Sequence, residues 1–393
     1  MKIQEEKVLQ AVSIMNELAI DMWITLVRES ETNPDPVLEL ILGKNVTWLS
    51  AFIFTREGER IALVGSLDEP NVSSAGLYTV VKPYVESLKE DLLETIERAD
   101  PKNIALNYST SDVLADGLSH GVYLTLTEYL ADTPYLDRII SSEKLISALR
   151  GRKSPEELER IGAAITITED ILSKLTEVIR PGLTEKDIAH FILHEVKKRD
   201  LEAAWDPAYC PSVFTGPESA GAHYGPTDRK IEPGHILNVD FGVRYLGYCS
   251  DMQRTWYVAH NGEESAPEAA EKAFMAVRDA VKKASSALEP GIEGWKVDDV
   301  ARSHITSLGY EEYPHALGHQ IGRKAHDGSG LLCPRWERYG ELPYAKVEKG
   351  QVYTLEPRVT VEGYGVATVE EIAVVEEQGC RFLSHPQDVL YVV

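Results

Sequence analysis

The pattern of apolar and polar positions changes character about 150 residues into this 393-residue chain. Before that point, short apolar runs alternate with helical spacing. Ile61–Val64 and Ile104–Leu106 are continuous apolar stretches of strand length. Val85–Ala99 places its Leu and Ile three and four apart, which predicts an amphipathic helix. Met1–Leu26 also has helical spacing, but it lacks the cationic start and clean apolar core of a signal peptide. A polar hinge, Leu149–Pro155, follows. Ser154, Pro155 and Glu157 supply an N-cap, a first-turn proline and a capping-box acid, so a long helix is expected to begin here. The chain is too long for one ordinary core, and the pattern predicts two domains, 1–148 and 149–393.

The second part repeats itself weakly. Pro181–Glu185 and Pro290–Gly294 each open an amphipathic helix. Further on, Ile231–Asp240 matches Val347–Glu356 without a gap, at an offset of 116 residues. A branched aliphatic, Glu, Gly, a second branched aliphatic, an apolar residue and a final carboxylate coincide. The period is too long for a solenoid unit. It predicts one domain of two similar halves, each with helices and a strand pair, although six matches to such permissive classes can also arise by chance.

Each half ends in a candidate hairpin with two acids. Ile236–Val243 alternates as a strand and Gly247–Val258 as its return. Asp240 and Asp251 are equidistant from a turn at Tyr245 and Leu246, so a two-residue hairpin sets them directly opposite, on one face. Glu356 and Glu370 are equidistant from Gly363 and are expected to face each other likewise. Like charges so placed among Leu237, Val239, Phe241, Val352, Leu355, Val366 and Val369 are destabilising. A shared proton is one remedy. A pair of divalent cations, roughly 3.5 Å apart and sharing bridging carboxylates and a water, neutralises all four acids. Any one of these acids alone reads as readily as a strand-end or surface residue. Glu371 should point to the other face and is taken as structural.

Pro314–Gly322 carries His315 and His319. The glycines at 318 and 322 argue against a helix, and Ala316 rules out the HExxH zinc-protease pattern. His326 lies seven residues beyond His319, and His223 lies in a loop 17 residues before Asp240. A lone histidine is usually structural, which is the reading given to His190 and His194. For His319 the glycines and nearby acids favour a ligand, while spacing alone leaves it undecided.

Composition narrows the classes. With 43% apolar and 26% charged residues the chain is globular, and no stretch has the uncharged apolar length of a membrane span. Forty basic against 63 acidic residues give a net charge of −23, which repels phosphate backbones and argues against nucleic acid. Cys210, Cys249, Cys333 and Cys380 form no CxxC pair and read as reduced thiols of a cytoplasmic protein.

Taken together these pieces resemble the M24 metallopeptidase superfamily of methionine aminopeptidases, prolidases and creatinases. The residues that carry the resemblance are Asp240-Phe-Gly, Tyr248-Cys-Ser-Asp251, Arg254-Thr255, His315 with His319 and Gly322, His326-Asp327, Thr354-Leu-Glu-Pro357 and Val369-Glu370. They span about Ser154 to Gly379, with five ligands matching in order and spacing. The two-domain length is most similar to Xaa-Pro aminopeptidases and Xaa-Pro dipeptidases.

The resemblance implies an α/β N-terminal domain and an α+β pita-bread catalytic domain with a curved, mainly antiparallel sheet and pseudo-twofold halves. It implies that Asp240 binds one metal ion, His319 and Glu356 the other, and that Asp251 and Glu370 bridge. His223, His315 and His326 match substrate-contacting and transition-state histidines. The chemistry expected is hydrolysis of an amide bond in a short peptide, with Glu356 carrying the proton and His326 or His223 at the oxyanion. One nitrogen among oxygen ligands suits Mn²⁺, with Co²⁺, Zn²⁺ and Fe²⁺ as alternatives. A homodimer is expected by the same analogy. One departure stands out: Thr368 occupies the place where proline-preferring members carry Arg, two residues before the last glutamate. It leaves open a hydrolase of a non-prolyl peptide or a small cyclic amide. Retention of every ligand position argues against a metal-free reaction and against a non-catalytic binding module.

Overall fold

Capping chemistry sets the first landmark. In the computed structural model, which describes residues 2–218 and 224–393, Glu157 at N3 reaches back to accept from the Ser154 N–H at 2.8 Å. The helix so started runs Pro155–Thr176. The chain divides just before it, into compact units Met1–Arg150 and Gly151–Val393.

The first unit is built on a six-stranded mixed sheet. Met22–Val27 and Ser50–Thr55 pair antiparallel, as do Ser50–Thr55 and Arg60–Gly65, while Val80–Tyr84, Ile104–Leu106 and Ile139–Ser141 add parallel neighbours. Both predicted strands fall inside this sheet. The predicted helix over 85–99 begins later, at Lys89. Val80–Tyr84 is drawn into the sheet beside Arg60–Gly65, and Val85 is left exposed at its end. Apolar cores lie on both faces of the sheet, one around Trp23, Phe52 and Phe54, the other around Ile24, Ile53 and Leu92.

The second unit has two half-cores, as its repeated sequence predicts. In the first half, helices Pro155–Thr176 and Glu185–Lys198 bury Ile171, Leu175, Ile188 and Ile192 against Leu237, Val239, Phe241 and Trp256. In the second half, Glu268–Ala287 and Gly294–Ser307 bury Phe274, Val277, Val297 and Ile305 against Leu355, Val359, Ala367 and Ala373. The strands of both halves pair almost wholly antiparallel: Ile236–Phe241 between Ser212–Thr215 and Met252–Tyr257, and Val352–Leu355 with Glu371–Val375.

Polar side chains join the two halves edge to edge. Asn238 Nδ2 donates to Val366 O at 2.5 Å, Arg254 Nη1 donates to Glu370 O at 3.1 Å, and Thr255 Oγ1 donates to Thr368 O. Backbone donors and acceptors in this seam are thereby satisfied away from water, where an unpaired one is costly. The acids of the two hairpins are brought to one place by this seam.

Candidate metal centre

The first hairpin turns at Leu246 and Gly247, both with positive φ (45° and 82°), and Tyr245 pairs with Tyr248. That is one residue later than the turn read from the sequence. Asp240 therefore stands opposite Gln253, not Asp251. Asp251 moves to the diagonal position, still on the same face, because side chains two apart along a strand share a face. Gly242, level with Asp251, admits no side chain: a Cβ there would sit 1.9 Å from Ser250 O.

In the second hairpin Val361 pairs with Gly365 and Arg358 with Thr368, and the same register continues to Leu355 opposite Glu371. Glu356 and Glu370 occupy opposing positions in the break between these two ladders, as the spacing predicts. Freed from pleated pairing there, both carboxylates turn into the site.

Asp251, His319 and Glu370 each offer one ligand atom within 4.8 Å of the others. Glu356 flanks this trio, its Oε1 lying 3.4 Å from His319 Nε2, and Asp251 Oδ2 lies 3.8 Å from the same nitrogen. His319 sits on the short strand Gly318–His319, which packs so tightly on Thr354 O that a Cβ at Gly318 would meet it at 1.9 Å. The imidazole is oriented by Nδ1 facing Gln320 O at 3.3 Å, which leaves Nε2 for the site.

Withdrawal from water raises the carboxyl pKa values throughout the group. Asp240 is pushed up to about 7 and Glu356 to about 8, in both cases chiefly by burial. Asp251 and Glu370 are raised well above the usual carboxylate range, first by burial and then by the neighbouring acids. Oδ1 of Asp240 and Oε1 of Glu370 are closed off from solvent and find no hydrogen-bond partner among the described residues. A buried polar atom without a partner asks for an occupant. Two orphaned carboxylate oxygens, further acids and one imidazole nitrogen form a donor set that fits hard to borderline divalent cations.

The other histidines fall at varied distances from this core. The His326 ring lies 4.0 Å from that of His319, centroid to centroid, and is exposed. His315 is half-buried beside Tyr313, at 5.2 Å between ring centroids, with its Nδ1 facing Ala316 O at 2.7 Å. His223 lies outside the described residues. His190 and His194 are exposed on the helix Glu185–Lys198. Glu371 faces away from the site, as expected, and pairs with Arg254 at 3.0 Å in a buried ion pair.

Gln253 is the site residue that the sequence reading missed. Its Nε2 donates to Glu370 Oε2 at 2.9 Å and to Glu356 Oε2 at 3.2 Å. A signal existed: it is an amide two residues beyond Asp251, on the same face of an otherwise buried strand.

Comparison with known proteins agrees with this geometry. A profile described as metallopeptidase family M24 matches residues 159–377. An uncharacterized peptidase of Bacillus subtilis, YqhT, is 26% identical over 308 residues, covering 78% of this chain and 80% of that protein. The Xaa-Pro dipeptidase of Pyrococcus furiosus is 29% identical over 243 residues, covering 62% of this chain and 65% of that protein. Among solved structures, an X-Pro aminopeptidase from Thermotoga maritima superposes with a TM-score of 0.71 at 24% identity, over 98% of this chain and 99% of that one. The Xaa-Pro dipeptidase from Bacillus anthracis superposes with a TM-score of 0.74 at 20% identity, over 99% and 100% of the two chains. These likenesses establish the pita-bread fold for the second unit. With its clustered acids, its single imidazole and a family match over more than half its length, the chain belongs to metallopeptidase family M24.

Proposed function

We propose that this chain is a dinuclear, manganese-dependent peptidase of short peptides, acting as an Xaa-Pro dipeptidase or Xaa-Pro aminopeptidase. The observation that carries the reading is the cluster of Asp251, His319 and Glu370 with Glu356 beside it, together with Asp240 Oδ1 and Glu370 Oε1, which lack hydrogen-bond partners among the described residues. Asp240 would hold one ion, His319 and Glu356 the other, with Asp251 and Glu370 shared between them. Ions held there would supply an activated water at neutral pH and polarisation of the scissile carbonyl.

The chain's own groups supply the proton handling. Glu356, whose Oε1 lies 3.4 Å from His319 Nε2, is placed to take the proton of the attacking water and pass it to the leaving nitrogen. His326, exposed beside His319, is offered as a donor to the developing oxyanion, a role it shares in this reading with His223. His315 is assigned to substrate contact.

Preference for prolyl substrates rests on the Xaa-Pro names of the relatives and on one cation. Arg358 lies directly across the ladder from Thr368, is half-buried, and has no hydrogen-bond or ion-pair partner among the described residues. It is suited to receive a free carboxylate near the scissile bond. Thr368 supports the second reading, a non-prolyl peptide or small cyclic amide, because its hydroxyl bonds within the protein, to Gln253 and Pro357.

The two compact units suit a catalytic domain over 149–393 preceded by a creatinase-like N-terminal domain over 1–148. All four cysteines are unpaired, which suits a reducing cytoplasm, and a homodimer completes the reading by analogy. Among the described residues no helix is long and apolar enough to cross a membrane.

The test is a panel of Gly-Pro, Ala-Pro, tripeptides and non-prolyl dipeptides, with and without Mn²⁺, run on the native chain and on Glu356→Gln. Manganese-dependent cleavage of the prolyl peptides, suppressed by orders of magnitude in the variant, is expected. Cleavage confined to non-prolyl peptides selects the second reading, and near-normal turnover by Glu356→Gln removes that residue from proton transfer.

A further inference from the structure

We propose that Gln253, anchored at its amide oxygen by Thr368, is a positioning residue that sets which carboxylate oxygens of Glu356 and Glu370 are offered to the metal ions. The inference rests on the metal centre proposed above and goes beyond it, because neither residue is among the ligands.

The geometry is specific. Gln253 stands opposite Asp240 in the ladder and between the two glutamates. Its carboxamide nitrogen has two N–H bonds, and it has two acceptors: Glu370 Oε2 at 2.9 Å and Glu356 Oε2 at 3.2 Å. Each glutamate thus has Oε2 tied to Gln253, while its Oε1 is turned elsewhere, that of Glu356 taking only a long hydrogen bond from Thr354 Oγ1 at 3.5 Å. These Oε1 oxygens are the ones with a task. Glu370 Oε1 is buried without a partner among the described residues, and Glu356 Oε1 lies 3.4 Å from His319 Nε2.

An amide can do this in only one orientation. Flipped, it would aim its oxygen at two carboxylates. The Thr368 hydroxyl, 3.0 Å from Gln253 Oε1 and 3.1 Å from Pro357 O, donates to the amide oxygen that this orientation turns away from the acids. Thr368 is itself buried. The main chain repeats the tie, since Glu370 N donates to Gln253 O at 3.2 Å. A neutral double donor is also the right chemistry. A cation at position 253 would compete with the metal ions for the same acids, whereas an amide orders them without cancelling their charge. Outer-shell groups of this kind fix ligand orientation, and their loss typically costs about 10- to 100-fold in metal affinity or activity.

The experiment titrates Mn²⁺ into chelator-stripped protein by calorimetry, then measures kcat and KM on the Mn²⁺-loaded forms. Gln253→Leu keeps approximate size and removes both donors. It is expected to weaken Mn²⁺ binding by about 10- to 100-fold and to lower kcat with KM little changed. Thr368→Val removes only the orienting hydroxyl and should act in the same direction by a smaller factor, with Thr368→Ser restoring native values. Should Gln253→Leu fail to fold, the Val and Ser pair carries the test alone. Native Mn²⁺ affinity and kcat, within about twofold, in Thr368→Val and in any folded Gln253→Leu would overturn the proposal and leave the metal-centre reading standing. Native protein that binds no Mn²⁺ would overturn both.

Discussion

In the first hairpin the chain turns through two residues, Leu246 and Gly247; in the second it turns through three, Glu362 to Tyr364. A gapless repeat would set Arg254 opposite Asp240, in the place that Glu370 takes opposite Glu356. The shorter first turn brings Gln253 there instead. The consequence appears as two couples on two faces. On the site face Gln253 meets Glu370, a neutral amide donating to an acid that it does not neutralise. On the opposite face Arg254 meets Glu371, a cation neutralising an acid that is then silent. Adjacent glutamates, equally buried, thus differ in partner, one facing a neutral amide and the other a cation.

The largest effect should separate these couples. Glu370→Gln and Asp251→Asn are expected to lower kcat/KM by more than the roughly 100-fold ceiling of outer-shell losses, with native melting behaviour in the metal-free state. Peptide hydrolysis and thermal unfolding measured in parallel decide it, and a Glu370→Gln enzyme with a hundredth or more of native activity breaks the contrast.

Next comes the silent couple. Arg254 also donates to Gln253 O, Glu370 O and His385 O, so Arg254→Leu strands a buried Glu371 and several carbonyls. Breaking one side of a buried pair costs about 3–5 kcal/mol. Chemical denaturation should show that loss; a cost below about 1 kcal/mol would mean the pair does not hold the seam.

A third effect comes from pH. The site carboxyls have folded-state pKa values above their ordinary ones, Asp240 at about 7 and Glu356 at about 8, with burial as the main cause. Between about pH 4 and pH 8 the folded metal-free chain therefore binds more protons at these groups than the unfolded chain. Their contribution to stability falls as pH rises through that window and levels off above it. Added Mn²⁺ binds the deprotonated acids, so the gain in melting temperature on adding metal should be larger at pH 8 than at pH 5. An equal gain at both would contradict the burial of these acids.

The smallest effect compares the turns themselves. Gly247 and Gly363 have φ of 82° and 78°, so alanine at either should cost roughly 1 kcal/mol. Only Gly247→Ala is expected to reduce activity measurably as well, because the two-residue turn sets what stands opposite Asp240.

Much of this was legible in the chain. Ser154, Pro155 and Glu157 announce a helix by local hydrogen bonding alone, and the helix is there. Two half-cores and the second hairpin follow from periodicity, because Gly363 marks its turn and the acids are counted from it. The first hairpin was misplaced by one residue: symmetry between Asp240 and Asp251 suggested Tyr245 and Leu246, whereas the backbone turns where Gly247 accepts a positive φ. The helix over 85–99 was started too early, since pairing of Val80–Tyr84 with Arg60–Gly65 is a tertiary contact that spacing does not show. Gln253 carries no charge and lies within the strand Met252–Tyr257, so no pattern of charge marks it. Its role depends on Thr368, 115 residues away, and no local pattern joins them.

Metal stoichiometry tests the central claim most directly. Chelator-stripped native chain, reloaded with excess Mn²⁺, desalted and analysed by elemental mass spectrometry, is predicted to retain two ions per chain, falling to one or fewer in Asp251→Ala. Retention of none by the native chain, or of two undiminished by the variant, would contradict the account.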